Sequence, residues 1–155
     1  ICGNSVNFVT AGPLARERGI TVNETKSGEA KDFSNFIEVE TGKNHEKNHM
    51  MGTLIGNKLP RIVNINEFWG LDSDPHGYVL VIKNEDMPGV VGKFGTILGR
   101  NKVNIAEMSL ARIPKGKKML AMTTINTDQE VPRKVLKEIE DSGGILSAKL
   151  VNLGR

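Results

Sequence analysis

The apolar positions after residue 77 follow the strand period and the helix period in turn. Tyr78 to Lys83 is an apolar run of strand length, and a helix is predicted to open at Pro88 with Phe94 and its apolar neighbours on one face. A second helix is predicted to start near Pro132 and to end at Gly143-Gly144. Further strands are predicted over residues 103–112, 118–125 and 145–153. The order β-α-β-β-α-β predicts a ferredoxin-like antiparallel sheet with both helices on one face.

Three glycines interrupt the first of these helices. Gly92, Gly95 and Gly99 each cost about 1 kcal/mol relative to alanine in a helix. We therefore expect a close approach of the helix backbone to the sheet that compensates for them.

Before residue 77 the pattern is mostly that of short strands. Strand-length segments are predicted over residues 6–9, 20–25, 36–41, 51–55 and 62–65. Gly12 to Gly19 is predicted to form two helical turns, with proline at the first position and Gly19 as the stop. The polar stretch from Gly70 to Gly77 is interpreted as a linker or tight boundary. We therefore predict an α+β chain, with a β-rich domain over residues 1–76 and the βαββαβ domain over residues 77–155.

The amino-acid composition argues against a membrane protein and against a nucleic-acid-binding protein. The 155 residues are 38% hydrophobic and 25% charged, which is typical of a soluble folded protein. The single cysteine cannot form an internal disulfide, and no apolar run reaches the roughly 20 residues that cross a bilayer, so we expect a cytoplasmic protein without membrane contact. A net charge of +3 with one Trp and one Tyr disfavours nucleic-acid binding. The chain starts at Ile1 rather than at methionine, so we expect a piece of a longer protein whose first sheet is truncated.

One motif suggests a metal. The string HEKNH over residues 45–49 has the spacing by which zinc proteases place two histidines on one helix face. It lies between strand candidates in a short polar window, so we interpret it as a hairpin connection whose histidines face water. We predict no metal site and no catalytic residue, and a zinc hydrolase remains the alternative that metal analysis would test.

A stronger signal lies in the turn between the strand that ends near Asn84 and the helix that follows. The first helical amides, of Gly89 and Val90, lack intrahelical acceptors and favour a carboxylate or phosphate. Asp86 adds an anion for an ammonium group, and Asn104 is expected to offer an amide from the side. A free amino acid needs such a set: amides for its carboxylate, an acid for its amine and a neutral hydrogen-bonding group for its side chain. The alternative is that Asp86 supports the helix end and Asn104 completes a strand terminus.

The same segments carry a family resemblance. The runs DMPGVVG over residues 86–92, GTILG over 95–99 and VNIAEM over 103–108 resemble the ACT domain, an amino-acid-sensing module of biosynthetic enzymes. The runs VNFVTAGPLARERGI over 6–20, GT over 52–53 and PRIVNIN over 60–66 resemble the intervening regulatory domain of long-form D-3-phosphoglycerate dehydrogenases. The two resemblances follow one another in the order that this family has.

The resemblance implies a regulatory fragment of serine biosynthesis rather than an enzyme in itself. It implies that L-serine binds at a seam between the ACT domains of two subunits and acts as a feedback inhibitor. Its contacts would be Asn84, Asp86, Gly89, Val90 and Asn104. Arg61 matches a basic position linked to a second, anionic effector, although Asp74 and Thr124 stand where other cations are expected.

The catalytic part of the family has no counterpart in this sequence. The resemblance implies that NAD and the family's own catalytic and nucleotide-binding domains are partners outside it, and that no cofactor binds the fragment. Two alternatives stay open. One is the regulatory part of an iron–sulfur L-serine dehydratase, against which ARERGI over residues 15–20 argues. The other is an ACT fold that binds no ligand and serves only oligomerisation.

Overall fold

The computed structural model describes residues 6–7, 9–21, 33, 35–43, 46–56 and 58–154. The chain divides into two compact units, Ile1–Asp32 and Phe33–Arg155. In the described part of the chain, no helix combines the length and the apolar character needed to cross a bilayer.

The first unit contains one short helix, α1 (Ala11–Glu17). The Asn7 carboxamide oxygen accepts the N–H groups of Val9 and Thr10, both at 2.9 Å, and so closes a turn ahead of the helix. Gly19 follows with φ +68°, as a helix stop requires. The predicted helix is thus confirmed, with Pro13 at its third position. The predicted strand over residues 6–9 is wrong for its described residues because Asn7 folds them into a turn, and residues 22–25 of the next predicted strand lie outside the described residues.

The second unit contains eight strands and two helices among its described residues. They are β1 (Ile37–Lys43), β2 (Glu46–Ile55), β3 (Leu59–Ile65), β4 (Phe68–Ser73), β5 (Tyr78–Glu85), α2 (Val90–Arg100), β6 (Ile105–Lys115), β7 (Lys118–Thr127), α3 (Arg133–Glu140) and β8 (Ile145–Asn152). Strands β1 to β4 form an antiparallel meander, and strands β5 to β8 form a second antiparallel sheet in the order β6-β7-β5-β8.

The second sheet confirms the predicted ferredoxin-like arrangement, and we call it the helix-backed sheet. Leu80 and Ile82 of β5, with Ile125 of β7, pack against Phe94 of α2 and Val135 of α3. All five side chains are buried, so the two helices cover one face of the sheet. The α+β class therefore follows from one apolar stripe per helix and one apolar face of the sheet.

Helix α2 departs from two expectations. It begins at Val90, after Gly89 with φ +88°, and not at Pro88. A Cβ atom on Gly92, Gly95 or Gly99 would meet nothing within 4 Å, so the expected close approach of the helix backbone to the sheet is wrong. The helix instead rests on the sheet through its large side chains, and the sheet stays a side-chain length away from the backbone.

Strand β4 occupies the first four residues, 70–73, of the segment that was predicted to be a linker. Phe68 and Leu71 are buried on one side of the strand, whereas Gly70 and Asp72 are exposed. Gly70 has φ +84°, a conformation that glycine adopts without strain. The prediction of a linker from Gly70 onward is wrong for residues 70–73 because burial of these apolar side chains outweighs the turn-forming tendency of their neighbours.

The meander packs on the face of the helix-backed sheet that lies opposite the helices. Phe68 and Leu71 form one core with Ala111, Leu120 and Met122. Two hydrogen bonds join the layers beside it: the Asp72 N–H donates to Ser109 Oγ at 2.9 Å, and Ser73 Oγ donates to Asn126 Oδ1 at 3.3 Å. The layers thus form one compact unit, within which the division at residues 76 and 77 stays a prediction.

Candidate functional site

Asn84 places a polar group in the core beneath the helices. It follows Ile82 by two residues on β5, so its side chain points to the helix side of the sheet. The residue is 1% exposed, and its Nδ2 donates to the Glu85 carbonyl at 2.8 Å. Its Oδ1 is buried and has no hydrogen-bond partner within the described residues. A buried acceptor left unpaired costs about 1–3 kcal/mol, which a ligand with a donor group would recover.

Asp86 lies at the edge of the same region and pairs with Arg112. Arg112 Nε donates to Asp86 Oδ2 at 2.5 Å, and Nη2 contacts the same oxygen. The Asp86 side chain is 22% exposed and that of Arg112 is 58% exposed. Within the described residues, Asp86 Oδ1 and Arg112 Nη1 have no hydrogen-bond partner. The pair therefore presents one free anionic acceptor and one free cationic donor.

Two backbone hydrogen bonds hold the turn that carries Asp86. The Asp86 N–H donates to the Met119 carbonyl at 2.9 Å, and the Glu85 N–H donates to the Gly144 carbonyl at 2.8 Å. The turn is thereby anchored to β7 on one side and to the α3–β8 connection on the other. This fixes the position of the Asp86 backbone without using its carboxylate.

The helix N-terminus offers fewer free amides than the sequence predicts. The Val90 N–H donates to the Met87 carbonyl at 3.3 Å, and the Val90 side chain is buried in the core. The Gly89 carbonyl accepts from the Lys93 N–H at 3.0 Å, while the Gly89 N–H has no acceptor among the residues that the structure describes. Of the two amides predicted to bind a carboxylate, one is engaged within the turn.

Asn104 lies at the other end of the sheet from this turn. Ile105, next to it, pairs with Thr127, which pairs with Tyr78 at the start of β5. Asn84 is six residues further along that strand, about 20 Å away at the usual rise per residue. The expectation that Asn104 flanks the turn of its own chain is wrong, because β6 runs the full length of the sheet before it reaches that turn. The Asn104 amide donates to Asp128 Oδ2 at 2.7 Å.

Arg61, the predicted contact of an anionic effector, is already paired with carboxylates. Its Nη1 donates to both Glu107 oxygens at 2.8 and 2.9 Å, and its Nε lies 3.2 Å from Asp72 Oδ1, an ion-pair distance without hydrogen-bond alignment. The hydrogen bond to Glu107 raises the pKa of Arg61 above its ordinary value. The side chain is 16% exposed. An anion at Arg61 would have to displace a carboxylate, so the geometry favours a structural link between β3 and β6.

This link leads to a prediction about stability. Replacing Glu107 with alanine is expected to lower the free energy of unfolding by about 1–3 kcal/mol, because a mostly buried guanidinium loses its charged acceptor. Lys47→Ala is the control, since the Lys47–Glu40 pair is exposed on both sides and should contribute about 0.5 kcal/mol or less. Urea denaturation measures both. Equal losses for the two variants would show that the Arg61–Glu107 contact has no special role.

The histidine motif lies on a strand and not in a hairpin connection. Residues 46–49 belong to β2, and His45 lies outside the described residues. His49 is partly buried rather than facing water: its Nδ1 is 2.6 Å from Asn64 Oδ1, and its Nε2 is 2.6 Å from Glu38 Oε1. The helix that the zinc motif requires is therefore not formed by these residues. The described part of the chain holds no group of three side chains suited to a metal ion.

A groove that the sequence does not predict separates part of the meander from the helix-backed sheet. Its volume is about 700 Å³, and it lies between β1–β3 on one side and β5 with the end of β8 on the other. Its lining is mainly apolar and includes Val39, Met50, Ile62, Val79, Val81 and Leu153. Its charged lining residue, Arg61, is bound by Glu107, so the groove offers apolar contact and little polar chemistry.

Comparison with known proteins identifies both halves of the chain. Residues 1–66 match the model of the D-3-phosphoglycerate dehydrogenase intervening domain, and residues 78–144 match the ACT domain model. The chain contains the intervening domain of D-3-phosphoglycerate dehydrogenase followed by an ACT domain. The predicted resemblance is thereby confirmed, and strands β5 to β7 of the helix-backed sheet, with the two helices that cover it, lie within the ACT match. Neither matched region is a catalytic domain.

Proteins named D-3-phosphoglycerate dehydrogenase align with almost the whole chain. The relative from Archaeoglobus fulgidus is 33% identical over 153 residues, that from Bacillus subtilis 35% over 150, and that from Synechocystis 36% over 149. These alignments cover 99%, 97% and 96% of the chain, but only 29%, 28% and 26% of the relatives. The chain thus spans little more than a quarter of the length of these dehydrogenases. Their names favour the dehydrogenase over the serine dehydratase alternative.

Proposed function

We propose that this regulatory region belongs to an NAD-dependent dehydrogenase of serine biosynthesis and that its ACT domain binds L-serine for feedback inhibition. The observation that carries the proposal is the buried Oδ1 of Asn84, unpaired within the described residues and two positions before Asp86. L-serine has a hydroxyl group and an ammonium group that match these two acceptors. NAD would be held by the family's catalytic domain, outside the two matched regions.

The position of Asn104 supports a site shared by two copies of the chain. Strand β6 is an edge of the sheet, so its outer backbone groups are open to a further strand. Two β6 strands related by a twofold axis would pair antiparallel, and residues equally distant from the axis on either side would lie opposite one another. With the axis at the exposed Met108, Asn104 of one copy lies opposite Arg112 of the other. This pairing would bring Asn104 to the turn that it does not reach in its own chain.

Feedback inhibition then follows from linkage. A ligand bound at the seam by both copies stabilises the paired arrangement, and L-serine inhibits if it binds the less active arrangement more tightly. The Arg61–Glu107 link joins the seam strand β6 to β3 of the meander, and β3 lies within the region that matches the intervening domain. We propose this link as the route by which the seam acts on the rest of the enzyme.

Isothermal titration calorimetry on the chain tests the proposal. We expect saturable heat with L-serine, a smaller response with D-serine, and an increase in the dimer fraction by sedimentation when L-serine is added. A folded, dimeric sample that gives no heat with L-serine would contradict serine binding and favour a module for oligomerisation alone. In the complete dehydrogenase, L-serine should lower the rate of 3-phosphoglycerate oxidation.

A further inference from the structure

The α-carboxylate of a bound amino acid needs hydrogen-bond donors, and one of the two amides predicted to bind it is engaged within the turn. The Val90 N–H is engaged with the Met87 carbonyl, and the Gly89 N–H has no acceptor among the residues that the structure describes. A carboxylate has two oxygens and binds best to paired donors or to a guanidinium. A cation close to the turn could therefore bind the α-carboxylate.

Arg112 is such a cation, and the sheet positions it. It pairs in register with Ala121 of β7, which in turn pairs with Asn84 of β5. These three residues form a row across the helix side of the sheet, with the small, fully buried Ala121 in the middle. The row has the unpaired Asn84 amide oxygen at its buried end and the Arg112 guanidinium at its exposed end.

The contact between Arg112 and Asp86 leaves both groups able to bind further partners. Both contacting nitrogens of Arg112 use Asp86 Oδ2, so Arg112 Nη1 and Asp86 Oδ1 remain free of described partners. More than half of the Arg112 side chain is exposed, so the guanidinium can shift without loss of core packing. Because Arg112 is the exposed partner of the pair, a ligand can draw its guanidinium to one side while Asp86 stays in place.

We propose that Arg112 binds the α-carboxylate of the amino acid while Asp86 binds its ammonium group, which makes this ion pair the receptor for a zwitterion. The inference rests on the proposed function, since it concerns the same site. The planar guanidinium fits a carboxylate through two parallel N–H bonds, which a lysine cannot do. Asn84 Oδ1 then accepts from a donor in the ligand side chain. The site selects α-amino acids with a small hydrogen-bond donor and rejects hydroxy acids and simple amines.

The test compares L-serine with L-serinamide, in which a neutral amide replaces the carboxylate, by calorimetry on the dimeric chain. Wild-type protein should bind L-serine about 10- to 100-fold more tightly than L-serinamide, because a hydrogen-bonded charge pair is lost with the amide. Arg112→Met keeps an unbranched apolar stem and removes the guanidinium with its charge. In this variant the affinity for L-serine should fall by a similar factor. The ratio of the affinities for L-serine and L-serinamide should fall below about threefold.

Arg100→Met is the matched control, since Arg100 pairs with Glu138 on the helix surface and should leave both affinities unchanged. Circular dichroism checks that each variant is folded. A folded Arg112→Met protein that binds both ligands more weakly but keeps the wild-type preference would overturn the proposal, because Arg112 would then act only by positioning Asp86. If wild-type protein binds neither ligand, serine binding itself fails, and this proposal fails with it.

Discussion

Replacing Phe68 with alanine is expected to lower the free energy of unfolding by about 3–5 kcal/mol. Phe68 is 0% exposed and lies in the core that joins the meander to the ACT sheet, against Ala111, Leu120 and Met122. Lys83 Nζ also lies 5.4 Å from the centre of its ring, which adds a cation–π contact. Removal of the ring leaves a cavity between two sheets that cannot close together without distortion. Urea denaturation of the chain measures the loss.

The neighbouring Trp69 provides the control for this prediction. It is the next residue on β4 and points to the other side of the meander, where half of it is exposed and its ring centre lies 6.3 Å from that of His49. Trp69→Ala removes a larger side chain, yet it should cost about 1 kcal/mol or less because little packing is lost. A loss for Phe68→Ala no greater than that for Trp69→Ala would show that the two sheets are not held together through this core.

The ACT half was predictable because its local patterns agree with its tertiary contacts. Apolar residues at helical spacing mark α2 and α3, and each strand has an apolar face of period two. The β4 strand was missed because Gly70 and Asp72 are turn formers. Only the contact of Phe68 and Leu71 with Ala111, Leu120 and Met122, far along the chain, keeps the segment extended. Nothing within the segment itself reveals that contact.

The candidate site was predictable only where it is local. Asn84 and Asp86 could be named because they flank a strand-to-helix turn, which the sequence shows directly. Arg112 was missed, and it is the observed pairing of β6 with β7 that places it in register with Ala121, and hence in the row of Asn84. Arg61 was predicted from the resemblance to contact an anionic effector, and nothing in the sequence indicates its partner Glu107, which is 46 residues away. Sequence spacing alone does not predict which distant carboxylate neutralises an arginine.

The Asp86→Ala variant is expected to bind L-serine at least about 100-fold more weakly than wild type. This loss of affinity is larger than the one expected for Arg112→Met. The substitution removes the acceptor for the ammonium group and leaves the Arg112 guanidinium without its carboxylate. The site then has a net positive charge, which repels the ammonium group of the ligand. Titration calorimetry of the folded, dimeric protein measures the affinity.

Two further variants separate charge from shape in this result. Asp86→Asn keeps the size of the side chain and an acceptor for Arg112, so a loss close to that of Asp86→Ala would assign the effect to the negative charge. Glu138→Ala removes a carboxylate that is also paired with an arginine, but on the helix surface, and should leave the affinity for L-serine unchanged. Unchanged affinity in folded Asp86→Ala would refute its contact with the ammonium group. Asn84 Oδ1, which has no hydrogen-bond partner within the described residues, would then be the remaining acceptor at this turn. A ligand bound there would carry a neutral donor instead of a charged one.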